Sequence, residues 1–241
     1  MKQYNYLKVF VDDVDDYIKH IKEGYLIIEI KPELEGELYK KLSLIKDESD
    51  ELLYAYSRLF YRFSDDPYKG IKIIEIANTL IGHNSPLGHY LLASSLYTGV
   101  GGNKSFKEGN KHYEIAANMG HAPSMYNLAI AYSRGLEIRK SYRKSFEWML
   151  KAANLDFAIA DYGIGVNYLI GRGTHVSKKK AHYYFLKAAI QEDYNAQYRL
   201  AYLYLNGIGV KKNEEQAALW LSRALKNGLP KEKADKLIKK D

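Results

Sequence analysis

The chain has 241 residues, a net charge of +7 and 23 tyrosines against 7 phenylalanines and 2 tryptophans. It contains no cysteine, which excludes a disulfide scaffold, a thiol nucleophile and a cysteine-based zinc or iron–sulfur site. No apolar stretch approaches the ~18 residues that a membrane span needs, and the first residues lack the apolar run of a signal peptide. We therefore expect a cytoplasmic protein that does not enter a membrane.

The first third of the chain predicts helices that precede the regular part. Residues 1–50 are expected to form an N-terminal helical cap, with helices around residues 11–22 and 33–46. Residues 51–83 are expected to form a degenerate helix pair, since residues 70–77 echo residues 109–116 at a spacing of 39. Residues 1–83 carry 12 Lys and Arg against 16 Asp and Glu, whereas the remainder carries 24 against 13. The two regions should therefore present different surfaces, the second suited to an acidic partner.

Residues 84–229 contain four repeats in register at a spacing of 36 residues without a gap. Leu200 and Tyr204 are four residues apart and share one face of a helix, with the small Ala201 beside them. Gly207 then supplies the left-handed backbone that ends this helix. A second helix with Ala217, Trp220 and Ala224 on its apolar face follows, and such a pair must stack on its copies to bury that face. Residues 230–241 are expected to form a capping helix.

This pattern resembles the Sel-like repeat (SLR) family, which is related to tetratricopeptide repeats. The matching residues of the last repeat are Ala196, Tyr198, Leu200, Ala201, Tyr204, Gly207, Gly209, Val210, Ala217, Trp220, Ala224 and Gly228. The resemblance implies an all-α fold, a right-handed α-solenoid of stacked antiparallel helix pairs with a 36-residue period. It is weaker in the first repeat, where Leu96, Gly109 and His112 depart from the pattern. In the second repeat, Glu137 replaces a turn glycine, which predicts a different loop shape.

The resemblance also implies a function. Similar proteins commonly act as adaptors that bind partners in a concave groove, and some bacterial members are immunity proteins against secreted toxins. We therefore predict a non-catalytic scaffold that binds a partner protein or peptide, with an immunity protein as the alternative and a hydrolase as a remote one. Family membership alone identifies no partner.

A recurring tyrosine is the first candidate surface. Tyr90, Tyr126, Tyr162 and Tyr198 stand 36 residues apart, two positions before the core leucine column, where the resemblance to tetratricopeptide repeats places groove residues. Tyr97, Asn195 and Tyr202 are expected to flank them. The alternative is that these rings pack against the neighbouring repeat.

The second candidate is a basic edge formed by the loops between the two helices of each pair. Its predicted members are Lys104, Lys107, Arg139, Lys140, Arg143, Lys144, Lys179, Lys180, Lys211 and Lys212. Stacked repeats should bring these loops together. The set predicts either steering of an acidic protein partner or simple solubility.

No residue set predicts a reaction, a metal site or a cofactor. The seven histidines include no metal-binding His-Glu-x-x-His motif, and Gly99, Gly101 and Gly102 lie in a repeat turn without the preceding strand of a nucleotide site. No nucleic-acid motif is present. The sequence leaves open the oligomeric state, and whether residues 1–50 cap the solenoid or reach into its groove.

Overall fold

The computed structural model describes residues 4–6, 9–26 and 28–238. The chain divides into two compact units, residues 1–140 and 141–241. Tandem helices with a 36-residue period make up most of both units, which confirms the predicted solenoid class and period. In the described part of the chain, no helix is long and apolar enough to cross a membrane.

The first unit opens with a small α/β module that the sequence analysis expected to be helical. Strand β1 (Val9–Val11) pairs in parallel with β2 (Ile28–Ile30), and helix α1 (Val14–Lys22) connects them. The predicted helix at residues 11–22 therefore begins three residues late, because Val11 belongs to β1 and Asp13 caps α1 by accepting a hydrogen bond from the Asp16 backbone N–H, 2.7 Å. Helix α2 (Glu35–Ile45) lies within the predicted range of residues 33–46.

Five helices complete the first unit, and they are α3 (Asp50–Phe63), α4 (Lys69–Gly82), α5 (Pro86–Thr98), α6 (Phe106–Asn118) and α7 (Ala122–Arg134). The α/β module packs on α3, where Ile18 and Ile21 of α1 meet Leu38 and Leu42 of α2 and Leu52 of α3 in one apolar cluster. This cluster answers part of the question that the sequence leaves open, because the module covers α3 with a hydrophobic core of its own.

The described part of the second unit consists of the helices α8 (Tyr142–Ala153), α9 (Ala158–Ile170), α10 (Lys178–Ile190), α11 (Tyr194–Asn206), α12 (Glu214–Lys226) and α13 (Lys231–Ile238). Ile164 and Leu200 are fully buried, as their shared sequence column predicts. A methyl group added at Gly165 would lie 2.7 Å from the Phe185 ring, so this small residue is what allows α9 and α10 to approach.

Left-handed backbone conformations recur with the same period. The first helix of each regular pair ends at Gly99, Gly135, Gly171 or Gly207, with φ between 60° and 81°. The second helices are followed by left-handed residues that are mostly not glycine, namely Asn84, Gly120, Asp156, Glu192 and Gly228. The inclusion of Asn84 in this series shows that α3 and α4 follow the 36-residue period, and not the spacing of 39 suggested by the sequence echo.

Glu137 does not change its loop, and the predicted difference in shape is wrong. Its φ is 49°, in the same left-handed region as Gly101, Gly173 and Gly209 at the equivalent positions. Its carboxylate accepts a hydrogen bond from the backbone N–H of Lys107, 2.6 Å, in the first turn of α6. The favourable charge of a carboxylate at a helix N-terminus offsets the cost of the backbone conformation.

Candidate protein-binding surfaces

The recurring tyrosines occupy equivalent, half-buried positions on the first helix of each pair. Tyr90 lies on α5, Tyr126 on α7, Tyr162 on α9 and Tyr198 on α11. The structure adds Tyr54 of α3, another 36 residues upstream, and we call these five residues the tyrosine column. The sequence analysis did not predict Tyr54, because it aligned residues 70–77 with residues 109–116 at a spacing of 39. Tyr54 lies 36 residues before Tyr90, so the regular spacing would have identified it.

Within the first unit, the Tyr90 ring is the centre of an aromatic cluster. Its centroid lies 4.7 Å from that of His121, 5.9 Å from that of Tyr113 and 6.2 Å from that of Tyr54. Burial raises the pKa of the Tyr90 hydroxyl above its ordinary value. For this ring, packing between repeats accounts for much of the surface, as the alternative interpretation predicts.

The N-terminal segment reaches the same cluster. The backbone N–H of Ala122, at the start of α7, donates to the hydroxyl oxygen of Tyr6 at 3.1 Å, and Tyr6 is only 2% exposed. The rings of Tyr4 and Tyr6 both meet His121 edge to face, with centroids 6.3 and 6.2 Å away. Residues 4–6 thus contact the start of α7 and are part of the packed first unit.

In the second unit, the helix α13 contacts two of the predicted groove residues. The Lys233 ammonium lies 5.2 Å from the centroid of the Tyr198 ring and donates to the Asn195 side-chain oxygen at 3.2 Å. Tyr202 lies one turn further along α11 and is half-buried. The structure therefore brings Asn195 and Tyr198 together beneath Lys233. The Tyr162 ring, one repeat earlier, lies 5.7 Å from that of Phe185.

Tyr97 faces the second helix of its own pair. Its hydroxyl donates to the Asn110 side-chain oxygen, and its ring centroid lies 4.9 Å from that of Phe106 on α6. Asn110 in turn donates to the carbonyl of Leu136 at 2.6 Å. This network ties α5 and α6 to the following turn, so Tyr97 contributes to packing in the first repeat.

The ten residues of the predicted basic edge are all exposed, with Lys104, Lys107, Arg139 and Lys140 in the first unit and Arg143, Lys144, Lys179, Lys180, Lys211 and Lys212 in the second. Some interact locally. Arg143 pairs with Glu147 at 3.1 Å, Lys212 pairs with Glu214 at 2.9 Å, and Lys180 lies 5.2 Å from the centroid of the Tyr168 ring. Exposed pairs of this kind contribute little to stability.

Close backbone contacts join the loops of the second unit to one another. A methyl group added at Gly209 would lie 2.4 Å from the carbonyl oxygen of Lys178, and one added at Gly173 would lie 2.1 Å from that of Tyr142. Each turn therefore rests on the first residues of the preceding repeat's second helix. This contact brings the turn that precedes Lys211 and Lys212 next to the start of α10, which carries Lys179 and Lys180.

Among the described histidines, His89 and His112 contact each other, but they are not part of a set of metal ligands. The Nδ1 atoms of His89 and His112 lie 2.9 Å apart, and burial followed by the charge of His112 lowers the pKa of His89. His121 is buried, which lowers its pKa to about 3, and its Nδ1 lies 2.9 Å from the Ser124 hydroxyl. Across residues 4–6, 9–26 and 28–238, no three His, Asp or Glu side chains converge as metal ligands would.

Comparison with known proteins identifies the repeat. The family model of the Sel1 repeat matches residues 86–121, 122–157, 158–193 and 195–229, which together exceed half of the chain. The match confirms the resemblance seen in the sequence and the weaker first repeat as a member of the array. A search of curated protein sequences finds no match.

Several solved structures share the fold. A Sel1 repeat protein from Oxalobacter formigenes is 20% identical with a TM-score of 0.72, over 82% of this chain and 84% of that one. The immunity protein Pa5087 from Pseudomonas aeruginosa is 15% identical with a TM-score of 0.60, over 98% of this chain and 89% of that one. The immunity protein PA5088 from the same organism is 15% identical with a TM-score of 0.59, over 89% and 81%. At such identities the likeness concerns the fold.

Proposed function

Because this chain belongs to the Sel1 repeat family, we propose that it is a non-catalytic scaffold that binds another protein through the outward faces of the first helices of its repeats. The observation that carries the proposal is the tyrosine column, whose residues are each partly exposed. Tyrosine suits such a surface because its ring contributes large apolar contacts while its hydroxyl tolerates water.

The second unit offers an apolar stripe along α9 that includes one residue of this column. Ile159, Tyr162, Val166 and Ile170 follow one another on α9 at spacings of three and four residues, and therefore share one face of the helix. Ile159 and Ile170 are 47% and 51% exposed, which is unusual for isoleucine. An amphipathic helix or an extended peptide of a partner would cover them.

Capture of a partner from the source cells, followed by mass spectrometry, tests this proposal. Tyr126→Ala or Tyr162→Ala should weaken capture while the helical circular dichroism spectrum stays intact. Since Tyr162 also packs on Phe185, Ile159→Asp supplies an exposed change in the same stripe, and the exposed Tyr183→Ala on α10 serves as the control. Equal loss of helicity and binding in the stripe variants, or equal weakening by Tyr183→Ala, would contradict the proposal.

An immunity role is the narrower form of this proposal. It is supported by the shared fold with Pa5087 and PA5088, each described as an immunity protein, and by their long overlap with this chain. A toxin partner predicts a neighbouring gene for a secreted effector, loss of protection when this chain is deleted, and nanomolar or tighter affinity. Micromolar contacts with several proteins would favour a general adaptor in the cytosol.

A further inference from the structure

A cleft of about 460 Å³ lies within the first unit, between the α/β module and α3. Tyr17 of α1 and the strand β2 form one wall, and Arg58 and Arg62 of α3 line the other. Arg58 lies one turn after Tyr54 and so shares the face of α3 that carries this member of the tyrosine column. The cleft is therefore next to the surface that we propose binds a partner.

The two arginines of the cleft differ in their partners. Arg62 forms an ion pair with Glu35, which neutralises both groups. Arg58 is exposed and forms no hydrogen bond or ion pair with any residue that the structure describes. The pKa of Arg58 is raised first by Tyr54, lowered to a smaller extent by burial, and raised further by Tyr17, Tyr90 and Glu35, so the guanidinium lies close to these phenol groups and stays charged.

The remaining lining specifies the kind of group that fits. Partly buried apolar side chains of the walls, Ile28, Ile30 and Leu59, surround the charge. Glu29 and Glu35 also line the cleft, so its two guanidinium groups face two carboxylates, and the lining has no excess of positive charge to attract a polyanion such as a nucleic acid or a phosphate-rich membrane surface. A single carboxylate carried on an apolar segment matches both the one unpaired guanidinium and the apolar walls.

We propose that this cleft receives an Asp or Glu side chain from an acidic and apolar segment of a protein partner, and that Arg58 binds its carboxylate through the two-pronged geometry of the guanidinium. The inference deepens the proposed function and rests on it. The cleft lies outside residues 84–229, whose basic loops the sequence analysis assigned to an acidic partner, and Arg58 belongs to none of those loops.

The test uses the full chain and a phage-displayed library of random peptides of about 12 residues as the probe. Selected peptides should carry an Asp or Glu beside apolar residues. The strongest binder is then synthesised with a fluorescent label and measured by anisotropy. Arg58→Gln should weaken its binding by about tenfold or more, and the Glu→Gln or Asp→Asn form of the peptide should bind equally weakly.

Two further variants separate a direct contact from a structural effect. Combining Arg58→Gln with the neutral peptide should produce no further loss, as expected for a single shared interaction. Arg58→Lys should recover part of the affinity, because it keeps the charge and loses the forked geometry. Arg134→Gln, at an exposed arginine on α7, is the control and should leave binding unchanged.

Three outcomes would overturn the inference: enrichment of no peptide, enrichment without an acidic residue, or an affinity that Arg58→Gln does not change. The proposed function is judged by separate evidence, since partner capture depends on Tyr126, Tyr162 and Ile159. If the peptide experiments fail while partner capture still depends on the tyrosine column, only the inference about Arg58 is wrong.

Discussion

The ammonium of Lys187 on α10 lies 3.3 Å from a carboxylate oxygen of Asp161 on α9, whose side chain is fully buried. The same ammonium donates to the Ala153 carbonyl at 2.6 Å and pairs with Asp156 at 2.9 Å. One repeat later, Gln197 stands in the position of Asp161 and donates to the carbonyl of Ala189 at 3.0 Å. Successive repeats thus satisfy equivalent carbonyls at a helix end, one with a charged group and one with an amide.

Removing the cation should destabilise the second unit. Lys187→Met leaves Asp161 buried without its counter-ion, and we expect a loss of about 3 kcal/mol in the free energy of unfolding. Urea denaturation at neutral pH measures it. Lys151→Met, one repeat earlier on α8, is the matched control, because Lys151 is exposed and lies over the Trp148 ring. Similar losses in the two variants would contradict this account of Lys187.

The stability contributed by Asp161 should fall as the pH rises. Burial raises its pKa to about 6 from 3.8, so between these values the folded state holds the proton more tightly than the unfolded state does. The contribution is complete below pH 4 and is lost as pH rises through 6. Asp161→Asn lacks this titration. Its free energy of unfolding relative to that of the wild type should therefore increase by on the order of 2 kcal/mol between pH 4 and 7. A difference in unfolding free energy between Asp161→Asn and the wild type that stays constant over this pH range would contradict the prediction.

The buried histidines of the first unit should have the opposite effect to Asp161, so the stability that they contribute is lost as the pH falls. Burial lowers the pKa of His121 to about 3, and it also lowers the pKa values of His89 and His112. The unfolded state therefore binds more protons below pH 6.5, and stability present above that pH is lost as pH falls, by up to about 1.4 kcal/mol per pH unit at the fully buried His121. His121→Gln should show a shallower loss in denaturation curves between pH 7 and 5 than the wild type.

Replacement by glycine should change the stability differently at two glutamates that share a left-handed backbone conformation. Glu192 is exposed with a φ of 63°, so Glu192→Gly should raise the free energy of unfolding by roughly 0.5–1 kcal/mol by removing the left-handed strain. Glu137→Gly relieves similar strain but also removes the bond to the Lys107 N–H, so we expect no net gain. Thermal denaturation compares them, and equal stabilisation would show that the Glu137 contact contributes nothing.

If the basic edge steers an acidic partner, binding should depend on salt. Replacing Lys179, Lys180, Lys211 and Lys212 with glutamine should slow association, because the charges act over the Debye length of ~8 Å at physiological ionic strength. Stopped-flow or surface-binding kinetics at low and physiological salt would measure the change. An association rate that hardly responds to salt or to these replacements would leave solubility as the role of the edge.

The sequence alone determined the repeated part of this chain. Leu200 and its equivalents, and Gly207 and its equivalents, act through local helix geometry and through contacts with the next copy. Both kinds of interaction recur every 36 residues, so the spacing of residue types was enough to predict the helix pairs, their turns and the tyrosines Tyr90 to Tyr198.

Only the tertiary structure determined what lies outside that period. The short strand Val9–Val11 depends on a partner strand across α1, and Tyr6 depends on Ala122, a residue 116 positions away. The cleft at Arg58 exists because the α/β module packs on α3, where Arg62 forms an ion pair with Glu35. Such contacts join residues with no fixed spacing, and their energy comes from burial and charge pairing in three dimensions, which a one-dimensional pattern does not contain.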